Sequence, residues 1–494
     1  MARMKHATIP KQPANATWFD MNDVYDKRGS LSLRDYQIDH LGSSLAEKRS
    51  LNLSEAGTGK TPVGCLWVYH HTQEGRVIWT MPKSLLVKNY HELLLWSNLE
   101  PHQVIIIDGT PKQREKQFAN RETKVFMMGF DSFANNYNEI IKRYPDTYHL
   151  CGDEWHLGFS THGEPKYNKP GEFNGPRRTH NMYQYMARGG DLLVLTGTYI
   201  NGRLSSAYPG LKLINPLYYP TYNNFMLWHA MLDEYGNPFM WKNHDRLKML
   251  IDRHSRRITY EDAYGKEKKS IHAEMCTMSP SQAKAFTEIK QRGITELDDD
   301  FLEAENEAVA LQRCFKIMQS PDEYGLAQNE SDGKDAHLIQ HLETHKFTGE
   351  PLIIFEVVVT AHARYKKICE RLGLKAEFIN GSIVSRRGEI DHRFRNGEID
   401  VLICSPEVAG VGFNWGHVDH IIFMSFDWQD TTFIQNYRRA LRGVREKPVK
   451  ITLLVYRGGL ELHVAKKLLN KSNDRTQVEN GVTVDLVTPI MQAA

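Results

Sequence analysis

The residues best suited to chemistry in this 494-residue chain lie between Leu51 and Thr61, in the run Leu-Asn-Leu-Ser-Glu-Ala-Gly-Thr-Gly-Lys-Thr. The run reads as a strand, a glycine loop and a helix start that together hold a triphosphate. Gly57 and Gly59, with Thr58 between them, let the backbone turn tightly and aim its N–H groups at phosphate oxygens. Lys60 adds a mobile positive charge for the outer phosphates, and the Thr61 hydroxyl can ligate Mg²⁺. The strict pattern G-x-x-x-x-G-K-[ST] fails at its first position, Ser54, where a small residue is tolerable. The bland alternative, a Gly-rich hairpin with an exposed lysine, is outweighed by the intact G-x-G-K-T core. Further on, behind an apolar run, Asp153 and Glu154 supply the acidic pair a nucleotide hydrolase needs. Asp153 would hold Mg²⁺, and Glu154 would orient or deprotonate the attacking water. An isolated Asp-Glu is usually a solvated turn, and only its place after the glycine loop favours the functional reading. Gln435 to Arg442 fits Q-x-x-x-R-x-x-R, which sets Arg439 and Arg442 on one face if the segment is helical. Arginines so presented can stabilise charge on a transferring γ-phosphoryl group. A basic face bound only to solvent is the plainer reading, and it is kept for Arg438 and Arg445.

Those residues need elements that bring them together. Leu33-Arg34-Asp35-Tyr36-Gln37, with Ile38 and Leu41, opens a helix ahead of the loop, and a Gln37 amide there can read both the donor and the acceptor of an adenine edge. After Thr61, the positions Val63, Cys65, Leu66 and Val68 suit a helix packed on a sheet. Arg76 to Pro82 then reads as a buried parallel strand ending at a proline. Lys83 and Ser84 open the next helix, with Ser84 placed to cap it or to bond a phosphate. Val104 to Gly109 and Val125 to Phe130, through Gly129, are two further strand-then-glycine units, and His149 to Asp153 and Leu192 to Thr198 add two strands. From Leu352 the alternation resumes: Leu352 to Phe355, a helix over 361–372, Ala376 to Ile379, Asp400 to Cys404, and Ile421 to Trp428. Such alternation predicts an α/β protein with doubly wound parallel sheets, whose ligands sit at strand carboxyl ends. The Thr196-Gly197-Thr198 turn can couple nucleotide state to another surface by hydrogen bonds present in only one state.

Less regular stretches interrupt this pattern. The aromatics Tyr218, Tyr219, Phe225 and Trp228 suit helix packing better than base stacking. The acidic run 296–307 reads as a solvated helix face, and 325–334 as a loop. At 494 residues the chain exceeds what one core fills, so two or three domains are expected. Lys+Arg total 62 against 60 for Asp+Glu, so a nucleic-acid surface must be a local patch. The six cysteines (Cys65, Cys151, Cys276, Cys314, Cys369, Cys404) form no C-x-x-C pair and are expected as buried free thiols. The polar, basic start lacks an apolar signal region and no apolar run is long enough to span a membrane, so a cytoplasmic protein is expected.

The ordered set Leu-Arg-Asp-Tyr-Gln, Ala-Gly-Thr-Gly-Lys-Thr, Pro-Lys-Ser-Leu-Leu, Asp-Glu-Trp-His and Leu-Thr-Gly-Thr resembles superfamily 2 helicases, and within them the Snf2-like DNA translocases. Asp427-Trp428 closing a strand favours the Snf2-like group. The resemblance runs from about Ser32 to Lys471. It implies two RecA-like lobes: a tail or arm over 1–30, a first lobe over 31–262 with a helical excursion near 206–262, and a second over 263–494 with one near 280–345. It also implies that Gly412, with Gly410, approaches the nucleotide, and that Lys83, Ser84, Gly129, Ser382 and Trp428 approach nucleic acid. Departures from the family pattern are Ala-Gly-Thr-Gly for Met-Gly-Leu-Gly in the loop, Tyr199 for the proline after Thr-Gly-Thr, and Arg445 for glutamine.

What the resemblance implies is an ATP hydrolase with ATP and Mg²⁺ as cofactors, acting as a motor on duplex or branched DNA. It looks like the compact single-chain version of bacteria and phage-infected cells, working as a monomer without a membrane. RNA remains an alternative partner, since these motifs do not read sugar identity. A nucleotide-switched DNA-binding regulator is the alternative from another class, and Glu154 and Arg442 speak against it.

Overall fold

The computed structural model describes residues 30–166, 172, 174–297, 301–327, 331–409, 412–441, 445–479 and 483–494. The N-terminal arm expected over 1–30, all but Ser30, lies outside the described residues, as do Gly410 and Arg442. The chain divides into two compact units. The first runs to Gly265 and takes in Asn473–Val482, and the second comprises Lys266–Ser472 with Thr483–Ala494. The sequence division set everything after 262 in the second lobe, so the return of Asn473–Val482 to the first unit is a difference.

The first unit is built on strands β1 (Arg49–Asn52), β2 (Arg76–Thr80), β3 (Val104–Ile107), β4 (Val125–Met128), β5 (Thr147–Asp153) and β6 (Leu192–Leu195). It also carries an antiparallel hairpin of β7 (Ala230–Leu232) and β8 (Pro238–Trp241), and a short β9 (Ser255–Arg256). The sheet order is β3-β4-β2-β5-β6-β1-β9, all parallel. Strands such as Val125–Met128 and Leu192–Leu195 are buried along their whole length, which is why they read as unbroken apolar runs instead of alternating ones. Helices α1 (Asp35–Ala46), α2 (Lys60–His71) and α3 (Leu86–Trp96) follow in the order expected. At Gly64 of α2 an added Cβ would lie 2.6 Å from Leu195 Cδ1, so the helix touches β6 directly. Strands β5, β6 and β1 are neighbours, and their carboxyl ends carry Asp153, Thr196 and the glycine loop respectively. Topology alone therefore gathers three stretches that are far apart in sequence.

The second unit has β10 (Lys269–Cys276), a small hairpin β11 (Ile294–Glu296) and β12 (Phe301–Glu303), then β13 (Leu352–Phe355), β14 (Ala376–Ile379), β15 (Val401–Cys404), β16 (His420–Phe423) and β17 (Val449–Tyr456). Its main sheet is again parallel, in the order β10-β17-β16-β13-β15-β14. Two doubly wound parallel sheets flanked by helices are the α/β architecture expected of RecA-like lobes.

The described residues of the acidic run 296–307, all but 298–300, do not form a solvated helix face. Glu296 and Glu303 belong to the antiparallel β11–β12 pair, and the next helix starts only at Glu307. Alternation around Thr295 and Leu302, both buried, is the strand signal that the charge count hid. The excursion 206–262 is likewise not purely helical, since it holds the β7–β8 hairpin. Its aromatics divide: Tyr219 and Phe225 are core, whereas Trp228 is 48% exposed with the Arg246 guanidinium over its ring. All six cysteines are buried and free. Among the described residues no helix is long and apolar enough to cross a membrane.

Candidate nucleotide-binding site

The glycine loop is clamped from outside. Gly57 and Gly59 both hold positive φ (92° and 89°), the backbone region that the tight turn requires and glycine adopts without strain. The Tyr36 hydroxyl donates to Thr58 O at 2.5 Å, Gln37 Nε2 to Gly59 O at 2.8 Å, and the Tyr264 hydroxyl to Gly57 O at 3.1 Å. Gln37 Oε1 accepts from Arg34 N–H at 2.8 Å, so both ends of the amide are engaged and the side chain is buried. Each end of the amide keeps a second N–H or lone pair beyond these bonds, and in the structure Gln37 helps to set the loop's conformation. Lys60 Nζ donates to Ser54 O at 2.7 Å and Glu55 O at 3.0 Å, which holds the ammonium over the loop that a phosphate would enter. Thr61 lies in the first turn of α2.

Gly59→Ala should distort this loop. A Cβ there would stand 2.5 Å from Gln37 Nε2, at a φ that costs a non-glycine residue about 1–3 kcal/mol. Nucleotide affinity, read by titration with a fluorescent ATP analogue, is expected to fall by about 10-fold or more. Unchanged affinity would mean that the loop conformation does not matter for binding.

Asp153 ends β5 with its carboxylate buried; Oδ2 accepts from Asn89 Nδ2 at 2.8 Å and Oδ1 from Glu154 N–H at 2.9 Å. Burial, then the neighbouring Glu154 charge, push its carboxyl up to about 6 against the bonds that favour the anion. Two adjoining carboxylates, together with the hydroxyl of Thr61, are the oxygen-donor chemistry that suits Mg²⁺. Glu154 holds a left-handed backbone (φ 47°), one of two such non-glycine residues described. It opens a short helix, Trp155–Gly158. His156 Nδ1 lies 2.9 Å from Thr196 Oγ1 and 3.6 Å from Glu154 Oε2. The Thr196 hydroxyl donates to Thr198 O at 2.8 Å, which leaves its lone pair for a His156 Nδ1–H. Burial lowers His156 to about 4, so the ring is neutral at physiological pH. Gly197 closes the ring of contacts: an added Cβ would lie 3.0 Å from Ala56 N and 3.4 Å from Lys60 Nζ. The acidic pair, the Thr-Gly-Thr turn and the glycine loop thus form one hydrogen-bonded and close-packed cluster.

The raised Asp153 carboxyl carries a stability consequence. In the fold the ionised form is disfavoured, so its cost is full above about pH 6 and disappears below about pH 4. Asp153→Asn should therefore stabilise the nucleotide-free chain at pH 8 by about 1–3 kcal/mol, with the gain shrinking as pH falls from 6 to 4. Thermal melts of parent and variant across that range test this. A lower midpoint for the variant at pH 8 would contradict it.

Lys83 and Gly129 are brought together at the carboxyl ends of β2 and β4, which are neighbours. Lys83 Cγ would lie 3.1 Å from a Cβ at Gly129, and Lys83 Nζ pairs with Asp108 at 3.1 Å in an exposed position. Ser84 is exposed beside them. In the second unit, Ser382 is exposed, and its N–H and hydroxyl both donate to Asn380 Oδ1, at 2.9 and 2.6 Å. Trp428 is half-buried with its edge on Phe315 and His463, and with Phe315, Leu311, Val358 and Phe426 it lines a cavity of about 660 Å³.

The arginine segment departs from the expected helix face. The helix Asp430–Tyr437 ends before Arg439, which sits in the following turn. Arg439 is buried, with Nη1 3.4 Å from Phe413 O next to Gly412, whose φ is 90°. Arg438 and Arg445 are not solvent-bound. Arg438 Nε pairs with Glu267 at 2.7 Å in a buried setting, and Arg445 donates to Gly416 O, Ala440 O and Val418 O and pairs with Asp419. Both arginines hold the turn that presents Arg439.

Sequence reasoning missed Tyr36, Asn89, Tyr264 and Glu479. Tyr199, where the family has proline, donates its N–H to Glu479 Oε1 at 2.8 Å, as does Ile200 at 2.7 Å. A proline could not make the first of these bonds. Gly210 makes room for the larger ring, since a Cβ there would stand 2.2 Å from the Tyr199 hydroxyl. The departure at 199 was the signal, and nothing in the sequence pointed to its distant partner.

Comparison with known proteins bears on the class. The helicase conserved C-terminal domain family matches residues 333–444. Chromodomain-helicase-DNA-binding protein 1 of Gallus gallus is 22% identical over 487 residues, covering 90% of this chain and 26% of that protein. TATA-binding protein-associated factor mot1 of Aspergillus fumigatus is 34% identical over 106 residues, 21% of this chain and 5% of its own. The solved Sulfolobus solfataricus SWI2/SNF2 ATPase core in complex with dsDNA aligns over 91% of this chain and 97% of that one, at 17% identity and a TM-score of 0.37, too low to carry weight. The chain spans about a quarter of the length of the first of these relatives. Of the two parallel α/β units, the first bears a glycine loop and an acidic pair, and the second carries the stretch that matches the helicase C-terminal domain. These likenesses agree with the resemblance to Snf2-like helicases: one relative is similar over 90% of this chain, and residues 333–444 match the helicase C-terminal domain.

Proposed function

We propose that this protein is a DNA-dependent ATP hydrolase that uses the ATP cycle to move along duplex DNA and remodel branched or protein-bound DNA. The observation that carries the reading is the single cluster of Lys60, Asp153, Glu154, His156 and Thr196 at the carboxyl edge of β1, β5 and β6. Lys60 and the loop N–H groups bind the phosphates, and Glu154 positions the attacking water. Thr61 and Asp153 would hold Mg²⁺, which neutralises phosphate charge when bound. His156 and Thr196 pass the state of the acidic pair to the turn at Thr198. DNA as the activator is supported by the name of the chromodomain-helicase-DNA-binding relatives. Lys83, Ser84, Gly129, Ser382 and Trp428 are the proposed contacts, mainly to phosphate and sugar, so binding should be sequence-tolerant and salt-sensitive.

The test compares ATP hydrolysis with duplex, forked, four-way-junction and single-stranded DNA and with RNA, alongside displacement of a triplex-forming strand. Stimulation by duplex or branched DNA with triplex displacement is expected. Stimulation by RNA alone would replace the partner, unwinding of a tailed duplex without triplex displacement would make it a single-strand helicase, and absence of multiple turnover would make it a nucleotide-switched regulator.

A further inference from the structure

The nucleotide cluster occupies one edge of the first unit's sheet, and the opposite, amino-terminal edge holds a second group of ligating side chains. His71 is the last residue of α2, His149 lies near the start of β5, and Asp191 directly precedes β6. His71 Nε2 stands 3.1 Å from Asp191 Oδ2, and His149 Nδ1 stands 3.5 Å from the same oxygen. The three ligand atoms all lie within 4.8 Å of one another. A tetrahedral ion bound at about 2.0–2.2 Å to nitrogen and carboxylate oxygen needs ligand atoms roughly 3.3–3.5 Å apart, close to the two short edges observed.

The hydrogen bonds around the group favour a cation at its centre. His71 Nδ1 is 2.9 Å from Trp67 O, a carbonyl that can only accept, so Nδ1 carries the proton. A ring protonated on both nitrogens would donate Nε2–H to Asp191, whereas a neutral ring turns a lone pair toward that carboxylate and needs a cation between them. A ligating histidine anchored through its other nitrogen to a backbone carbonyl is the usual outer-shell arrangement of a bound metal. His149 Nδ1 accepts a long 3.3 Å bond from Asp191 N–H, which an ion on that nitrogen would displace, and its Nε2 is buried without a hydrogen-bond partner. Arg49, the nearby guanidinium, is engaged by Met186 O and Leu213 O. Both histidines are buried, and the Asp191 side chain is 23% exposed, so the group meets solvent at the carboxylate.

We propose that His71 Nε2, His149 Nδ1 and Asp191 Oδ2 form a site for a divalent transition-metal ion of the Zn²⁺ type. From Lys60 to His71, α2 covers roughly 16 Å at helical rise, and β5 covers roughly 13 Å from His149 to Asp153 at strand rise. The ion therefore ties together the far ends of the same helix and strands whose near ends carry Lys60, Asp153 and Thr196. It is a staple on the nucleotide scaffold, outside the hydrolytic cluster, and does not depend on the function proposed above.

The test uses the full chain stripped with a chelator and titrated with Zn²⁺ against a chromophoric competitor, and separately with Co²⁺. One equivalent of Zn²⁺, the intense visible bands of tetrahedral Co²⁺, and a thermal midpoint raised by Zn²⁺ and returned by EDTA are expected. Asp191→Asn and His149→Gln should each weaken uptake by more than about 10-fold, the lower bound for loss of even an outer-shell partner. His341→Gln, which removes a ring nitrogen 3.0 Å from Glu274 in the second unit, should leave uptake unchanged. Absence of stoichiometric uptake by the unsubstituted chain overturns the site even if a variant fails to fold. Uptake that persists in Asp191→Asn, or a six-coordinate Co²⁺ spectrum, assigns the ion elsewhere and leaves a hydrogen-bonded His–Asp group only.

Discussion

Glu154→Gln should bind ATP as tightly as the parent and hydrolyse it about 10²–10⁴-fold more slowly, the range that loss of a positioned acid–base group produces. Glutamine keeps the length and shape of the side chain, so the left-handed backbone at 154 and the short helix it opens are preserved. What is lost is the charge that orients and activates water, a charge that stands 3.6 Å from His156 Nδ1. Lys60→Ala is the opposite case: it removes the ammonium held at Ser54 O and Glu55 O, and nucleotide binding is lost first. Equilibrium titration with a fluorescent nucleotide, run beside single-turnover hydrolysis, separates the two. Normal turnover in Glu154→Gln would remove the acidic pair from the chemistry, and normal affinity in Lys60→Ala would remove the loop.

Arg442→Ala is expected to lower kcat by about 10³-fold or more while leaving DNA affinity nearly unchanged, as loss of an arginine finger does. Arg442→Lys should recover little, because an ammonium does not reproduce the planar fork that stabilises equatorial phosphoryl oxygens. Arg439 is a poorer probe, since it is buried against Phe413 O and its removal also disturbs the turn it sits in. The measurements are kcat at saturating DNA and the DNA dissociation constant at fixed salt. Lost DNA affinity at unchanged kcat would reassign Arg442 to the nucleic acid.

The sheets were legible because strands buried on both faces are apolar runs ending in glycine or proline, and the glycine loop was legible because positive φ restricts residue choice. Three features escaped for three physical reasons. The spacing of Arg439 and Arg442 implied one helical face, but the helix stops at Tyr437, and Arg438 is fixed by Glu267, a residue no local pattern connects to it. The acidic run was read by its charge, while its two strands are declared by the buried Thr295 and Leu302. Gln37 was read as a base reader, and its bonds to Arg34 and to Gly59 of the loop were not foreseen. A donor–acceptor side chain fits either partner equally well, and only geometry separates them.

The return of Asn473–Val482 to the first unit has a consequence in time. Val478 belongs to that unit's apolar core, and the Glu479 carboxylate is where the N–H groups of Tyr199 and Ile200 end. At about 5–20 residues per second, the ~210 residues between Gly265 and this segment take on the order of 10–40 s to synthesise. Throughout that interval the nascent first unit stands with a gap in its interior and two amide protons, just past Thr198, awaiting their acceptor. A ribosome must deliver the whole second sheet before the first can close, so the turn beside the nucleotide cluster is among the last parts of the molecule to set, and a chain that stalls late in translation carries a loop and an acidic pair with no finished turn behind them.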